Sequence, residues 1–271
     1  MKHKSLKFLL VFIILLSSCA TRMSGSSTNG GNTISVMSYN IHHCNPPSKA
    51  GLIDVDAVAA VLKKEGPEIV SLQEVDVFTR RSGGIDQTAQ IAEKAGYPFF
   101  YFAKAIDFDG GEYGVAILSK YQLSNTNVYP LPMDATIGGE PRVLATAMVT
   151  FPNGKVFRFG ATHLDAGKIA VNRLMQMEAI NRISRETNDP FIIAGDFNAR
   201  EGSDVLNILD ENFTRTCRTC QPTLLEEGEQ GAIDFIAWRK KVHFRILSHR
   251  VLSEWQTSDH LPLVALLQIN F

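Results

Sequence analysis

The sequence lacks an excess of basic charge. Its 27 Lys and Arg residues face 28 Asp and Glu residues, which gives a formal net charge of −1. The first eighteen residues carry three lysines and no acidic residue, so the rest of the chain carries about −4. A protein held on nucleic acid by general electrostatics needs a basic face. That class is therefore disfavoured, although a local basic pocket remains open.

Long apolar runs are absent except near the start, where residues 8–16 are unbroken after a lysine-rich beginning. This run is too short to span a bilayer and predicts a signal peptide over residues 1–18. The sequence Leu-Ser-Ser-Cys ending at Cys19 resembles a bacterial lipobox, which implies a lipoprotein acylated at that thiol. The alternative is a plain secretory peptide. Residues 19–32, rich in Ser, Gly, Asn and Thr, predict a flexible tether, so we expect a lipid-anchored protein of the cell envelope, on the periplasmic side or at the surface.

Cysteine is also scarce, with four residues in the chain. Cys217 and Cys220 have the spacing of half a zinc site or of a redox pair, but no second half-site is present. In an exported protein we expect either a local disulfide or two idle thiols at this pair. Cys44 lies four residues after Asn40 and is expected to be a free thiol beside it. The sequence also shows no internal repeat.

Residues 33–271 are enough for one large domain with a substantial core. Apolar periodicity predicts helices over 54–64, 86–95 and 169–186. Strands are predicted over 34–39, 68–72, 99–102, 115–118, 142–151, 156–162, 191–194, 233–237, 243–252 and 263–269. A turn at 152–154 joins two consecutive strands as a hairpin and excludes a purely parallel sheet. We therefore predict an α/β fold with two mixed, mostly antiparallel sheets packed face to face and helices outside.

Polar side chains stand at or next to the ends of several of these strands: Asn40, Glu74, His163, Asp196, Asn198, Asp234 and the pair Asp259-His260. In an α/β protein, residues at strand ends converge on one rim, where active sites are usually built. Glu74 alone also fits a solvated strand end, and Asp196 with Asn198 also fits an Asx turn. Asp234 is harder to explain in this way, because a carboxylate inside a strand needs a partner. Taken together, the set predicts the active site of a hydrolase.

Eight short motifs, in this order along the chain, resemble those of the endonuclease/exonuclease/phosphatase superfamily. They are SYNIH at 38–42, LQEVD at 72–76, GVAILS at 114–119, PRV at 141–143, THLD at 162–165, GDFN at 195–198, IDF at 233–235 and SDHLP at 258–262. The resemblance covers essentially all of residues 33–271. It implies the four-layer α/β sandwich of that superfamily and a catalytic domain that hydrolyses phosphoesters with Mg²⁺, or with Mn²⁺ as the alternative ion.

The predicted metal site centres on one carboxylate. Mg²⁺ takes few protein carboxylates and keeps several water ligands. Glu74 is the best single ligand, and the resemblance places Asn40 and Asp259 near it. Neighbouring side chains on an extended segment point to opposite sides. We therefore expect His42, on the side of Asn40, to reach the metal shell and His43 to point away.

The predicted catalytic groups follow from the charge of the reaction. A phosphoester is anionic and its leaving oxygen is basic, so hydrolysis needs an oriented water and donors that bind the transition state. Asp196 is expected to orient and deprotonate the water, and Asn198 to hold that water or a phosphate oxygen. His260 is expected to donate to a non-bridging oxygen, with Asp234 fixing its tautomer and favouring the imidazolium. Two further positive phosphate donors are expected, His163 and Arg142.

The sequence defines the substrate less closely than the reaction. An acidic run at 226–230 would repel a polyanion unless it points away from the site. Arg80 and Arg81 either bind a phosphate or cover the surface. The segments 79–83 and 107–114 are similar to a membrane-associated branch of the superfamily that is related to lipid phosphodiesterases. These features favour a lipid-borne or small phosphoester over a nucleic acid.

Three functions therefore stay open at the level of the sequence. The first is an envelope phosphodiesterase or phosphatase for lipid head groups or small phosphoesters. The second is a nuclease that acts on DNA or RNA outside the cytoplasm. The third is an inactive binding module that keeps the fold, which is disfavoured because no motif position is visibly replaced. We expect a monomer that contacts the membrane through the lipid on Cys19.

Overall fold

The structure is a computed structural model that describes residues 33–225, 231–241 and 243–270. The predicted signal peptide 1–18, the predicted tether 19–32 with Cys19, and the acidic run 226–230 lie outside these residues. Within the described residues, no helix is both long enough and apolar enough to cross a membrane.

The described chain forms twelve strands and four helices. The strands are β1 (Thr33–Asn40), β2 (Ile69–Val77), β3 (Phe99–Phe108), β4 (Gly111–Ser119), β5 (Gln122–Pro130), β6 (Val143–Thr150), β7 (Val156–His163), β8 (Phe191–Asp196), β9 (Phe213–Arg215), β10 (Asp234–Arg239), β11 (His243–Val251) and β12 (Leu263–Asn270). The helices are α1 (Val55–Glu65), α2 (Gln87–Ala95), α3 (Val171–Arg185) and α4 (Asp204–Asn212), and one 3₁₀ turn covers His42–Cys44.

The strands form two sheets of six. The first has the order β11-β12-β1-β2-β4-β3 and the second β5-β6-β7-β8-β10-β9. Each sheet contains one parallel pair, β1 with β2 and β7 with β8, and its other pairs are antiparallel. The predicted arrangement of two mixed, mostly antiparallel sheets is confirmed.

The core lies between the two sheets and beneath the helices. Val36 of the first sheet and Phe159 of the second belong to the cluster that fills the space between the inner faces. On the outer face of the first sheet, Leu62 of α1 packs with strand residues, and Ile180 of α3 does the same on the second. Burying each such side chain stabilises the fold by about 1.5–3 kcal/mol. The four layers predicted from the resemblance are therefore present.

Two of the predicted helices begin and end at residues that the sequence signals. Asp54 accepts a hydrogen bond from the backbone N–H of Ala57 (2.9 Å), and Asp86 caps α2 in the same way. Gly66 and Gly96 follow the two helices with left-handed φ values of 63° and 79°. Only glycine adopts this conformation without steric cost, so it ends a helix readily.

The sequence did not predict β5, β9 or α4, and it made β2, β3 and β4 too short. β5 is an edge strand whose residues are nearly all exposed, so it lacks the alternation of buried and exposed positions that identifies a strand. β3 continues six residues beyond Phe102 because it pairs with β4 in a hairpin that turns at 109–110. Charged residues in this extension conceal it in the sequence.

Of the described cysteines, two form a disulfide and one is a free thiol. Cys217 and Cys220 are joined in a disulfide with their Cα atoms 5.2 Å apart, one of the two outcomes that the sequence left open. Cys44 is a buried free thiol that packs in the layer under α1. Burial, and then the carboxylate of Asp76, raise the pKa of Cys44 far above its usual value, so the thiol stays protonated.

The strand ends that carry the predicted polar residues meet at one end of the sandwich. β1, β2, β7 and β8 run towards this end, while β10 and β12, which are antiparallel to them, begin there. The register places His163 opposite Asp196, and Asp196 opposite Asp234. We call this end, with the loops that join its strands, the site end.

Candidate active site

A buried cluster of two carboxyl groups and one imidazole lies at the site end. Asp196 closes β8 and Asp234 opens β10 beside it, while His260 lies in the loop just before β12. His260 Nδ1 donates to Asp234 Oδ2 at 2.9 Å, and both side chains are almost fully buried. We call these three residues the acid–imidazole cluster. The structure therefore brings together the pair that the sequence predicted to act as one unit.

The imidazole of this cluster is held in its charged form. Burial favours the neutral ring, but the carboxylates of Asp234 and then Asp196 outweigh this effect and raise the pKa of His260 to about 10. The other ring nitrogen, Nε2, lies 3.7 Å from Asp196 Oδ2 and 3.5 Å from the amide nitrogen of Asn40. At neutral pH, His260 therefore presents a positive N–H towards the space around Asp196.

Asp196 is set up to exchange a proton near neutral pH. Its Oδ1 accepts from the backbone N–H of Asn198 at 2.8 Å, and its Oδ2 accepts from the side-chain nitrogen of Asn40 at 3.1 Å. Burial, and then the charge of Asp234, raise the pKa of Asp196 to about 7, against the opposing charge of His260. A carboxyl group with a pKa near the working pH is suited to general-base catalysis.

The expectation that His163 is a positive donor is not supported by its surroundings. His163 Nε2 lies 3.5 Å from Asp196 Oδ2, and its Nδ1 faces Arg142 Nη1 at 3.2 Å. Burial, and then the charge of Arg142, lower the pKa of His163 well below its usual value. The ring is therefore neutral, and the positive charge here belongs to Arg142, which also pairs with Glu140 at 2.7 Å.

Glu74 lies at an irregular point of β2. The register of β2 with β4 shifts between Leu72 and Val75, and Glu74 has a left-handed φ of 58°. Its Oε1 accepts from Asn40 Nδ2 at 3.1 Å. Burial alone would raise the pKa of Glu74, but the neighbouring His43 and the Asn40 amide favour the carboxylate and lower it. Glu74 is therefore an ionised oxygen donor at the site.

Asn40 connects Glu74 to the acid–imidazole cluster. Its nitrogen donates to Glu74 and to Asp196, and its oxygen accepts from the backbone N–H of His42 at 3.1 Å. A metal ligand would use the oxygen, which accepts one hydrogen bond here and has a second lone pair. The predicted role of Asn40 in metal binding therefore stays a prediction, while its contacts with both carboxylates are a structural fact.

The prediction that His43 points away from the metal site is wrong. It assumed an extended segment, whereas residues 42–44 form a left-handed 3₁₀ turn in which neighbouring side chains are not on opposite sides. His43 Nδ1 lies 4.0 Å from Glu74 Oε2, and the rings of His42 and His43 contact edge to face with centroids 4.6 Å apart. We call His42, His43 and Glu74 the histidine–glutamate cluster.

Asp259 and Asn198, two other predicted site residues, lie at the edge of the site. Asp259 accepts from the hydroxyl of Ser258 at 3.2 Å and lines an apolar depression, and it is not among the groups that share Glu74's immediate space. Asn198 has a left-handed φ of 47°, and its side-chain nitrogen donates to the carbonyl of Leu164 at 2.9 Å. The amide oxygen and the second N–H of Asn198 are thus left for a water or a phosphate. The roles predicted for both residues stay predictions.

The two arginines that the sequence left open are paired within the protein. Arg81 makes two hydrogen bonds to Asp76, at 2.7 and 2.8 Å, and its guanidinium lies 4.4 Å from the centre of the Phe108 ring. Arg80 pairs with Asp109 at 2.9 Å. These contacts hold the β3–β4 hairpin against the loop after β2. They favour the structural explanation over phosphate binding.

No sequence pattern marks Thr223, which bonds to the segments that carry the acid–imidazole cluster. Its hydroxyl accepts from the backbone N–H groups of Ile233 and Asp234 at 3.1 and 3.2 Å. Its carbonyl accepts from the N–H of Leu261 at 2.7 Å. Thr223 therefore links the two segments that carry Asp234 and His260. It lies in a loop between motifs, and no neighbouring residue type marks it.

The residues at the site end fit a divalent cation. Among the described residues, the acidic, imidazole and thiol groups that lie close enough to share an ion form two sets, the histidine–glutamate cluster and the acid–imidazole cluster. His43 Nδ1 is buried without a hydrogen-bond partner and faces the ionised carboxylate of Glu74. Unpartnered nitrogen and carboxylate oxygen next to each other are the donor atoms that metal ions use in proteins.

The two-sheet sandwich is shared with several solved structures. An endonuclease/exonuclease/phosphatase from Beutenbergia cavernae superposes with a TM-score of 0.75 and 24% identity, over 89% of this chain and 72% of that one. One from Bacteroides vulgatus gives 0.74 and 20%, over 89% and 100%. A mannosyl-6-phosphatase from Bacteroides thetaiotaomicron gives 0.65 and 18%, over 88% and 100%. At these identities the likeness shows the fold alone.

The sequence then identifies the family. Residues 37–260 match the profile of the endonuclease/exonuclease/phosphatase family, which is most of the chain. The chain therefore belongs to that family, whose members hydrolyse phosphoesters and typically depend on a divalent metal. A search of the curated proteins found no match.

Proposed function

We propose that the protein is a metal-dependent phosphodiesterase that acts on lipid head groups, or on small phosphoesters of similar chemistry, in the cell envelope. Family membership supports phosphoester hydrolysis in general. The lipid part of the proposal rests on one observation, the position of the exposed apolar side chains relative to the site.

The acid–imidazole cluster supplies the proton chemistry of the proposed reaction. Asp196 takes a proton from the attacking water, whose oxygen forms the new bond to phosphorus. His260 donates to a non-bridging phosphate oxygen, on which negative charge grows before the bond to the leaving oxygen breaks. Arg142 adds a fixed positive charge beside His163. A divalent cation held at Glu74 would further neutralise phosphate charge when bound.

Exposed apolar side chains concentrate at the site end. Of the described residues, eight large apolar side chains are more than two-fifths exposed, and six of these lie on loops at the site end: Leu52, Phe78, Ile137, Ile169, Leu225 and Trp255. The other two are Phe100, at the beginning of β3, and Leu247, within β11. We call the six residues the apolar collar. Exposed apolar groups gathered on one surface indicate an interaction site.

A phospholipid surface fits the collar better than a protein partner does. The collar residues lie on loops at the same end of the sandwich as the site, so a surface that contacts these loops lies close to the site. A folded partner would therefore block the site, whereas a lipid layer would bury the collar and present phosphoesters to it. Trp255 and Phe78, at 57% and 60% exposure, are residue types that favour the membrane–water interface.

A depression beside the site gives room for the apolar part of a lipid. It has a volume of about 590 Å³ and is lined by Pro47, Ser48, Leu225, Trp255 and Asp259. Leu225 and Trp255 belong to the collar, and Asp259 is next to His260 in the chain. An acyl-bearing group in this depression would therefore lie directly beside a phosphate at the acid–imidazole cluster.

Charge favours a neutral lipid surface over an anionic one. The chain has a formal net charge of −1, and Arg80 and Arg81 are paired with Asp109 and Asp76. A basic surface that could attract a polyanion is therefore lacking in this part of the described chain. We expect attachment through apolar contacts to zwitterionic lipid, with little dependence on salt.

The test compares a lipid with soluble and polymeric substrates. The purified full chain is incubated with phosphatidylcholine vesicles, a soluble bis-ester or plasmid DNA, in the presence of Mg²⁺ or Mn²⁺. We expect head-group release from vesicles. Trp255→Ser should slow it by about 10- to 100-fold, because burial of a large apolar side chain contributes about 1.5–3 kcal/mol, while the rate on the bis-ester stays unchanged.

Phe100→Ser is the matched control, because it removes an aromatic of similar exposure from the opposite end of the sandwich. Equal effects of the two variants would mean that the apolar collar does not contact the lipid surface. Efficient cleavage of plasmid DNA without lipid turnover would replace the proposal with a nuclease. Failure to turn over any phosphoester would favour a binding module.

A further inference from the structure

Three consecutive residues next to Glu74 have a left-handed backbone. His42, His43 and Cys44 have φ values of 45°, 42° and 60°. For residues other than glycine, this conformation costs roughly 1–2 kcal/mol each. Glu74 itself has a φ of 58°, so all three residues of the histidine–glutamate cluster have a backbone conformation that is unfavourable for residues other than glycine. Such conformations persist where surrounding contacts enforce them, and they concentrate at functional sites.

Specific hydrogen bonds enforce this turn. The side-chain oxygen of Asn40 accepts from the N–H of His42 at 3.1 Å. His42 Nδ1 donates to the carbonyl of Asn45 at 2.9 Å, and Gln87 Nε2 donates to the carbonyl of His43 at 2.7 Å. Three different side chains thus hold the turn in place. Their common effect is to bring both imidazoles to the carboxylate.

The contacts of the turn leave one nitrogen of each imidazole in a position to bind a metal. His42 Nδ1 donates to a carbonyl, so Nε2 is the nitrogen of this ring that could bind an ion. His43 Nδ1 is buried without a partner, 4.0 Å from Glu74 Oε2. That gap is too long for a hydrogen bond and leaves room for an ion between the two atoms. One ring nitrogen of each histidine and one carboxylate oxygen of Glu74 lie within 4.8 Å of one another.

We propose that His42, His43 and Glu74 together bind one divalent ion, and that their two imidazoles select a first-row transition metal over Mg²⁺. Mg²⁺ prefers oxygen ligands, whereas imidazole suits transition metals. The acid–imidazole cluster is the rival site, but it offers one imidazole, whereas the histidine–glutamate cluster offers two. The importance of the ion for hydrolysis rests on the proposed function, whereas its binding does not.

The test measures ion binding without any substrate. The purified full chain is stripped of metal, and Mn²⁺ binding is followed by electron paramagnetic resonance, with Mg²⁺ as competitor. We expect Mn²⁺ to bind roughly tenfold or more tightly than Mg²⁺, as expected of nitrogen ligands. Pulsed measurements should detect nitrogen coupling from two imidazoles on the bound ion.

Substitutions then assign the nitrogens. His42→Gln and His43→Gln should each remove one nitrogen coupling and weaken Mn²⁺ binding by about tenfold or more, while Mg²⁺ binding changes little. His249→Gln is the matched control, because it removes an imidazole on β11 that bonds only to Thr216 among the described residues. It should change neither measurement.

Absence of nitrogen coupling in the wild type, or equal affinity for Mg²⁺ and Mn²⁺, would overturn the proposal. So would a His43→Gln variant that keeps its Mn²⁺ affinity. If that variant does not fold, as judged by thermal unfolding without metal, the nitrogen coupling of the wild type decides the question. Nitrogen-coupled Mn²⁺ in a protein that cleaves no phospholipid would leave this inference standing and remove only the proposed function.

Discussion

The two clusters that meet at Asn40 are built on different kinds of backbone. The acid–imidazole cluster stands on paired strands, and the register of β8 with β10 places Asp196 directly beside Asp234. The histidine–glutamate cluster stands on a left-handed turn and on a shift of register in β2. Regular pairing therefore holds one group of side chains, and irregular backbone holds the other.

This difference matches what each cluster has to do. Paired strands are rigid and space their side chains at fixed intervals, which suits the passing of a proton between set positions. On a strand, however, neighbouring side chains point to opposite faces, so two adjacent residues cannot bind the same ion. The left-handed turn removes that restriction for His42 and His43. An irregular backbone is thus the means by which a short segment supplies two ligands.

The largest effect is expected from removal of the metal, which acts on the histidine–glutamate cluster and leaves the residues of the acid–imidazole cluster in place. Excess EDTA should abolish turnover, and Mn²⁺ or Mg²⁺ should restore it. Glu74→Gln should weaken metal affinity but keep the fold, because it removes a charge and preserves the shape of the side chain. Turnover, metal binding and thermal unfolding check these expectations. Undiminished activity in EDTA would remove the metal from the mechanism, and an unfolded Glu74→Gln would make Glu74 a structural residue.

Loss of the imidazole is expected to have the next largest effect. His260→Ala should lower kcat on the order of 10²–10⁴-fold, the range for a positioned acid or charge donor. Asp234→Asn should cost a similar amount, because the Asp234 carboxylate orients the ring and keeps it charged. The double variant should be little worse than His260→Ala, since residues that act as a unit are not additive.

Metal binding provides the internal control for these variants. If the clusters are separate, Mn²⁺ affinity should be nearly the same in wild type, His260→Ala and Asp234→Asn. Additive losses in kcat would mean that Asp234 and His260 act independently. A large loss of metal affinity in His260→Ala would mean that the two clusters form one site.

Thr223→Val is expected to loosen the acid–imidazole cluster without removing any of its members. The variant leaves the N–H groups of Ile233 and Asp234 without their acceptor, which should cost about 1–3 kcal/mol of stability. Displacement of Asp234 should also lower kcat, roughly tenfold, with little change in KM. Thr223→Ser keeps the hydroxyl and should restore kcat. If Thr223→Ser is as slow as Thr223→Val, the hydroxyl does not position the cluster.

The smallest expected effect is the pH dependence of stability in the metal-free chain. The folded pKa of His260 is raised from 6.5 to about 10, so the stability from its proton is complete below pH 6.5 and is lost as pH rises through 10. Asp196, with a pKa near 7, has completed its own change by then. Between pH 7.5 and about 10, wild type should lose stability relative to His260→Gln, measured by denaturant unfolding. Parallel curves would show that the imidazole is not charged in the fold.

The sequence predicts the acid–imidazole cluster well for a physical reason. Asp196 and Asp234 stand at the ends of apolar strands, and residues at strand ends converge wherever the strands pair. His260 follows from the same logic, since it precedes β12. For such residues, a correct prediction of the strand is enough to predict that the side chain lies at the site end.

Other features depend on contacts that no local pattern contains. The direction of His43 follows from a left-handed turn held by Asn40, Asn45 and Gln87, and Gln87 is 44 residues away in the chain. Thr223 acts through its hydroxyl on a strand that begins eleven residues later. The edge strand β5 forms because β6 offers it hydrogen bonds, and its own residues stay exposed. Long-range hydrogen bonds decide these cases, and they become visible only in the fold.

The direction of β1 determines where the chain enters the domain. β1 begins at Thr33 and ends at Asn40, so Thr33 lies at the end of the sandwich opposite to the site. Eight residues of strand cover about 26 Å. Any group joined to the chain at Thr33 is therefore held one strand length from Asn40, on the side of the domain that faces away from the site.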